Sequence, residues 1–75
     1  MTEKELKEYY MIFTDTWKFF RKWAVVNYPM TDKQWTQVNQ ESKELFEKYG
    51  RCELVESLIL AAVKRLEDLE RQVRK

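Results

Sequence analysis

Histidine is absent from this 75-residue chain. That removes the commonest general base and the commonest metal ligand. Cys52 is the only cysteine, so neither an intrachain disulfide nor a cysteine-cluster zinc site is expected. A lone thiol fits a reducing, cytoplasmic setting. One glycine and one proline leave little turn chemistry for a β-rich fold. An excess of one charge is lacking too: 14 basic residues face 13 acidic ones, for a net charge of +1. A dedicated nucleic-acid binder carries a stronger basic imbalance. The longest apolar run, Leu58 to Val63, falls far short of the roughly 20 residues of a membrane span. The opening MTEKELKEYY mixes both charges and does not read as a signal peptide.

Aromatic rings and helix formers fill the space that these absences leave. Three Trp, four Tyr and four Phe can each bury on the order of 150–250 Å². Glu, Lys, Leu, Gln and Arg favour helix. The expected fold is all-α, a single helical domain over residues 1–75. A chain this short buries only about 60% of its unfolded surface, so its core has to be dense or shared.

Three helices are expected, at about residues 3–27, 32–49 and 52–74. In the first, the apolar positions Val26, Phe19, Ile12, Trp23, Tyr9, Phe20, Phe13, Leu6, Ala24, Trp17 and Tyr10 fall on one arc. The segment WKFFRKW, Trp17 to Trp23, therefore interleaves rings and charges in sequence but separates them in space. The arc spans roughly 200°, about twice the usual apolar stripe of a surface helix. Thr14-Asp15-Thr16 has cap character, yet the apolar phase continues across it, so one continuous helix is expected. Tyr28 before Pro29 marks its end. Thr31 and Gln34 form a capping box for the second helix, with Met30 and Trp35 placed as a hydrophobic staple. Gly50 closes that helix. Short links imply antiparallel neighbours, hence an up-down-up bundle. The expected core is Phe13, Trp17, Phe20, Trp35, Leu45, Phe46, Leu58, Ala62 and Leu66.

Several constellations invite a chemical reading. Lys4, Lys7, Lys18, Arg21 and Lys22 make a basic face on the first helix, which could meet phosphate or an acidic partner. Ser42 to Val63 has a helix-turn-helix layout around Gly50. Its recognition helix would open Arg51-Cys52-Glu53-Leu54-Val55, a poor set for reading bases. The pairs Glu41-Glu44 and Glu67-Glu70 have a metal-compatible spacing, but without histidine they read as exposed ion-pair residues. Cys52 reads as a small filler near a helix start. No nucleophile with its base and no phosphate loop is present, so neither an enzyme nor a cofactor is expected.

The block WTQVNQESKELFEKYG and the lysine- and glutamate-rich start MTEKELKEYY resemble short uncharacterised accessory proteins carried by phages and conjugative elements of Firmicutes. The likeness is one of composition and layout over the whole chain and transfers no functional residue. It implies a bacterial cytoplasmic accessory protein that binds another protein. The residues point the same way through surplus apolar surface, which on a small domain marks an interface. Phe19, Trp23, Val26, Leu60 and Val63 are the expected interface. The expected partner is a second copy or another protein, with nucleic acid on the basic face as the alternative.

Overall fold

A computed structural model describes residues 1–73 of the chain. It contains three helices, α1 (Glu3–Ala24), α2 (Asp32–Lys48) and α3 (Glu53–Val73), and no strand among the described residues. The end of the third expected helix, at Arg74, lies outside the described residues.

Each helix boundary has a local cause. Thr2 caps α1 by accepting a hydrogen bond from the Glu5 N–H at 3.2 Å, and Glu3 and Glu5 in the first turn suit the helix dipole. Thr14-Asp15-Thr16 does not interrupt α1. The Thr16 hydroxyl donates to the Ile12 carbonyl at 2.8 Å, which satisfies its polar group within the helix and lets the residue be buried. The helix stops at Ala24, earlier than the expected Asn27. The Tyr28 hydroxyl reaches back and donates to the Trp23 carbonyl at 2.8 Å, taking one of the carbonyls that a helix end leaves unpaired.

The capping box of α2 forms as expected. Thr31 Oγ1 accepts from the Gln34 N–H at 3.1 Å, and Gln34 Oε1 accepts from the Thr31 N–H at 2.8 Å. Met30 and Trp35 of the staple join one core cluster. At the other end, the Arg51 N–H donates to the Phe46 carbonyl at 3.0 Å and the Gly50 N–H to the Glu47 carbonyl at 3.1 Å. This is a Schellman turn, and its glycine sits at φ 67°, a region that glycine enters without a Cβ penalty. A tight reversal therefore delivers α3 directly against α2.

The polar ties between α1 and α2 show their antiparallel course: Lys22 of α1 meets Glu41, and Asp15 meets Lys48. Helices α1 and α3 run parallel, since Ile12 packs with Val55 and Ile59 while Phe19 and Trp23 pack with Leu66. The core is thus two clusters stacked along a rod of 47 × 18 × 17 Å. One holds Phe19, Trp23, Met30, Val38 and Leu66, the other Ile12, Val55 and Ile59; Leu45 and Val63 lie against both. Glu70 is buried at one end and accepts from the Met30 N–H at 3.0 Å, fastening the α1–α2 loop onto α3.

The core differs from the expected one in the rotation of α1. Leu66 is buried, and Phe20, Trp35, Leu45, Phe46, Leu58 and Ala62 are half-buried around the clusters. Phe13 and Trp17 are on the surface, whereas Phe19 and Trp23, the expected interface, are inside at 7% and 5% exposure. An apolar arc of that width fits the core equally well in more than one rotation. The rotation adopted is the one that aims Asp15 and Lys22 at α2.

At the Asp15 tie, Lys48 Nζ donates to Oδ2 at 2.7 Å and the Tyr49 hydroxyl donates to the same oxygen. The Lys48 hydrogen bond first, and the Tyr49 bond second, hold the Asp15 carboxyl below its ordinary 3.8. The folded chain therefore takes up this proton less readily than the unfolded chain does. The stabilisation is fully present well above pH 3.8 and is lost as pH falls through the lower folded value. Asp15→Asn should lower stability at neutral pH and lose less on acidification than the unaltered protein. Urea denaturation at neutral pH and at about pH 3 measures this; an unchanged acid dependence would place the sensitivity in other carboxylates.

Candidate functional site

Two apolar stripes run side by side along α1. The inner stripe, Ile12-Thr16-Phe19-Trp23, is buried. The outer stripe starts at Leu6, continues through Tyr10, Phe13 and Trp17, and ends at the half-buried Phe20 and Ala24. Its spacing alternates four and three residues throughout, the a/d pattern of a coiled-coil seam. At 100° per residue it lies about a third of a turn from the inner stripe. Tyr10 is 70% exposed, Trp17 58%, Leu6 54% and Phe13 53%. The Trp17 and Phe20 rings stand 6.3 Å apart, tilted by 36°, so the lower part of the stripe is already a packed aromatic surface.

One border of this face is the chain's own core, through Thr16 and Trp23. The other is polar: Glu3 begins the seam, and Lys7, Thr14 and Arg21 occupy the flanking e positions. Every residue from Glu3 to Met11 is exposed. The first core contact of α1 is Ile12, level with Val55 and Ile59 near the start of α3. The first two turns of α1 consequently project beyond the other helices. Two turns of helix without tertiary packing are marginal in water.

The exposed area of the chain is 5858 Å². A compact monomer of 9.3 kDa exposes roughly 5,000 Å². The rod shape accounts for part of the difference, and the outer stripe contributes to its apolar share. Four large side chains exposed to this degree leave on the order of 400–500 Å² of contiguous apolar surface, in the range of the largest patches on monomers, which are often functional.

The expected interface residues scatter on this geometry. Phe19 and Trp23 are internal, and the Trp23 indole N–H donates to Glu41 Oε1 at 3.1 Å. Val26 and Val63 are half-buried against the core. Leu60 alone is exposed, beside Phe46, Ile59 and Glu56 in a shallow groove between α2 and α3. The basic face is not uniform either. Lys22 bonds Glu41 at 2.7 Å and lies 5.1 Å from the centre of the Trp23 ring, so it serves the α1–α2 contact. Lys4, Lys7, Lys18 and Arg21 are exposed.

Three of the four acidic residues with metal-compatible spacing have other partners, Glu44 accepting from the Gln40 side-chain amide at 3.1 Å. Glu41 takes Lys22 and Trp23, and the buried Glu70 accepts from the Met30 N–H. Among the described residues no three of Cys, Asp and Glu are grouped as a metal ion requires. Cys52 is half-buried against Val55 and Ile59, as a filler would be. None of the described helices is long and apolar enough to cross a membrane.

Thr16 is the informative residue that the sequence reading passed over. A polar residue between Ile12 and Phe19 reads as exterior, and its internal hydrogen bond is what permits the core to centre there. The signal was present in the spacing, since Thr16 completes the line Ile12, Phe19, Trp23.

Truncation should separate the two stripes. Phe19→Ala is expected to cost about 3–5 kcal/mol, enough to unfold much of a domain this small. Trp17→Ser should cost no more than about 1 kcal/mol when unfolding is followed at a concentration where the chain is monomeric, because association would add to apparent stability. Equal losses at the two positions would show that the outer stripe is core.

Comparison with known proteins adds no relative: no protein-family model, no curated protein and no solved structure matches the chain.

Proposed function

We propose that this protein is a non-enzymatic protein-interaction module whose docking surface is the outer stripe of α1. The observation that carries the reading is the seam Leu6-Tyr10-Phe13-Trp17, large apolar side chains at coiled-coil spacing, each more than half exposed. A seam of this kind is satisfied by another helix, whose side chains fill the holes between its knobs. The projecting first turns of α1 support the same reading, because they gain packing only from something outside their own bundle. In this reading the module works in the cytoplasm, in keeping with its single unpaired thiol and with its likeness in layout to phage and conjugative-element accessory proteins.

The nucleic-acid reading draws on Lys4, Lys7, Lys18 and Arg21. Its strength is reduced by the use of Lys22 within the fold, by Glu3 and Asp15 on the same helix and by the net charge of +1.

A photo-activated cross-linker placed at Tyr10, in the cell that makes the protein, tests the proposal against the same cross-linker at the exposed Gln37 of α2. Discrete protein adducts from position 10 and not from position 37 are expected. Adducts to nucleic acid would favour the second reading. No discrete adduct, or the same adducts from both positions, would overturn the docking face.

A further inference from the structure

Resting on that reading, we infer that the partner of α1 is α1 of a second copy, antiparallel across a two-fold axis that passes beside the seam between Met11 and Ile12. The apolar residues of the seam that are more than half exposed are Leu6, Tyr10, Phe13 and Trp17, and they are arranged symmetrically about that point. A two-fold interface must be complementary to itself, and this arrangement is. Leu6 lies opposite Trp17 of the second copy and Tyr10 lies opposite Phe13 of the second copy, each pair occurring twice. Every layer joins an a position to a d position, as an antiparallel seam requires.

The charges select this register over its neighbour one heptad away. With the axis at Met11–Ile12, Glu3 falls beside Arg21 of the second copy at both ends, and Lys7 faces Thr14 of the second copy. With the axis moved to Asp15, Lys7 would face Arg21 of the second copy, setting like charges together twice. Leu6 would then meet only Ala24. The favoured register keeps opposite charges at the rim and the four largest exposed side chains at the centre.

The projecting turns of α1 fit as well. Residues 3–9, all of them exposed, run alongside residues 14–20 of the second copy, the stretch of α1 that includes the buried Thr16 and Phe19. The seam's apolar patch, on the order of 400–500 Å² on each copy, would make a small interface, at the low end of the range for specific pairs.

Sedimentation equilibrium over a wide concentration range provides the test, with circular dichroism to check that each variant remains helical. The unaltered chain should dimerise. Tyr10→Ser with Phe13→Ser should weaken the dimer at least a hundredfold, since large aromatic side chains at the centre of an interface dominate affinity. Glu3→Arg should weaken it about fivefold to tenfold, as like charges replace two opposite pairs at the rim. Glu3→Arg combined with Arg21→Glu should restore it. A chain that stays monomeric at millimolar concentration overturns the self-pairing; the Tyr10 cross-link would still succeed if another protein covers the face. A dimer indifferent to Tyr10 and Phe13 uses another surface and also overturns it. A dimer in which the charge exchange fails to restore affinity overturns the antiparallel register. Glu3 and Arg21 are both exposed, so the charge variants keep the question decidable if the double serine variant does not fold.

Discussion

The Asp15 carboxylate and the Trp23 indole both point from α1 toward α2, and they set the rotation of α1 about its own axis. Asp15 meets Lys48 and Tyr49; Trp23 and its neighbour Lys22 meet Glu41. These contacts lie on one edge of the helix, about two turns apart. With that edge committed to α2, the neighbouring stripe Ile12-Thr16-Phe19-Trp23 must face the core. The stripe beyond it is left facing outward from Leu6 to Trp17, and its end, Phe20 and Ala24, packs against the core. Surface ion pairs contribute little to net stability, and their consequence here is geometric. They go with the rotation that puts the Ile12-Thr16-Phe19-Trp23 stripe inside.

That division explains what the sequence could and could not convey. The capping box at Thr31, the boundary before Pro29, the glycine turn at Gly50 and the three-helix layout all rest on local chemistry, and local chemistry is written in short segments. The course of α2 was legible as well, because its apolar positions make one narrow stripe with a single rotation. Helix α1 carries rings on more than half its circumference, so hydrophobic phase alone admits several rotations. Selecting among them takes contacts with residues far away in sequence, Glu41 and Lys48. Phe13 and Trp17 consequently exchanged roles with Phe19 and Trp23. The idea of surplus apolar surface on α1 survives the exchange, attached to a different set of side chains.

Thr16 and Glu70 show the same limit from the polar side. Each is buried because a specific backbone partner waits for it: the Ile12 carbonyl for Thr16 and the Met30 N–H for Glu70. Buried polar groups that find such partners cost little, whereas unsatisfied ones are expensive. Glu70 does more than close its own hydrogen bonds. It holds the loop that orients α2, and so acts at a distance on the edge contacts that rotate α1. A side chain near the end of α3 is in this way part of the arrangement that exposes the seam near the start of α1.

The placement of the tryptophans has an optical consequence. Trp17 stands on the outward face, while Trp23 is enclosed with its indole N–H on a carboxylate. An exposed indole emits at longer wavelength than an enclosed one, and covering it shifts its emission to the blue. The chain thus has one native fluorophore that reports on whatever covers α1 and another that reports on the integrity of the core. With Trp35 replaced by phenylalanine, the two signals would separate docking from folding in a single titration, with no label attached.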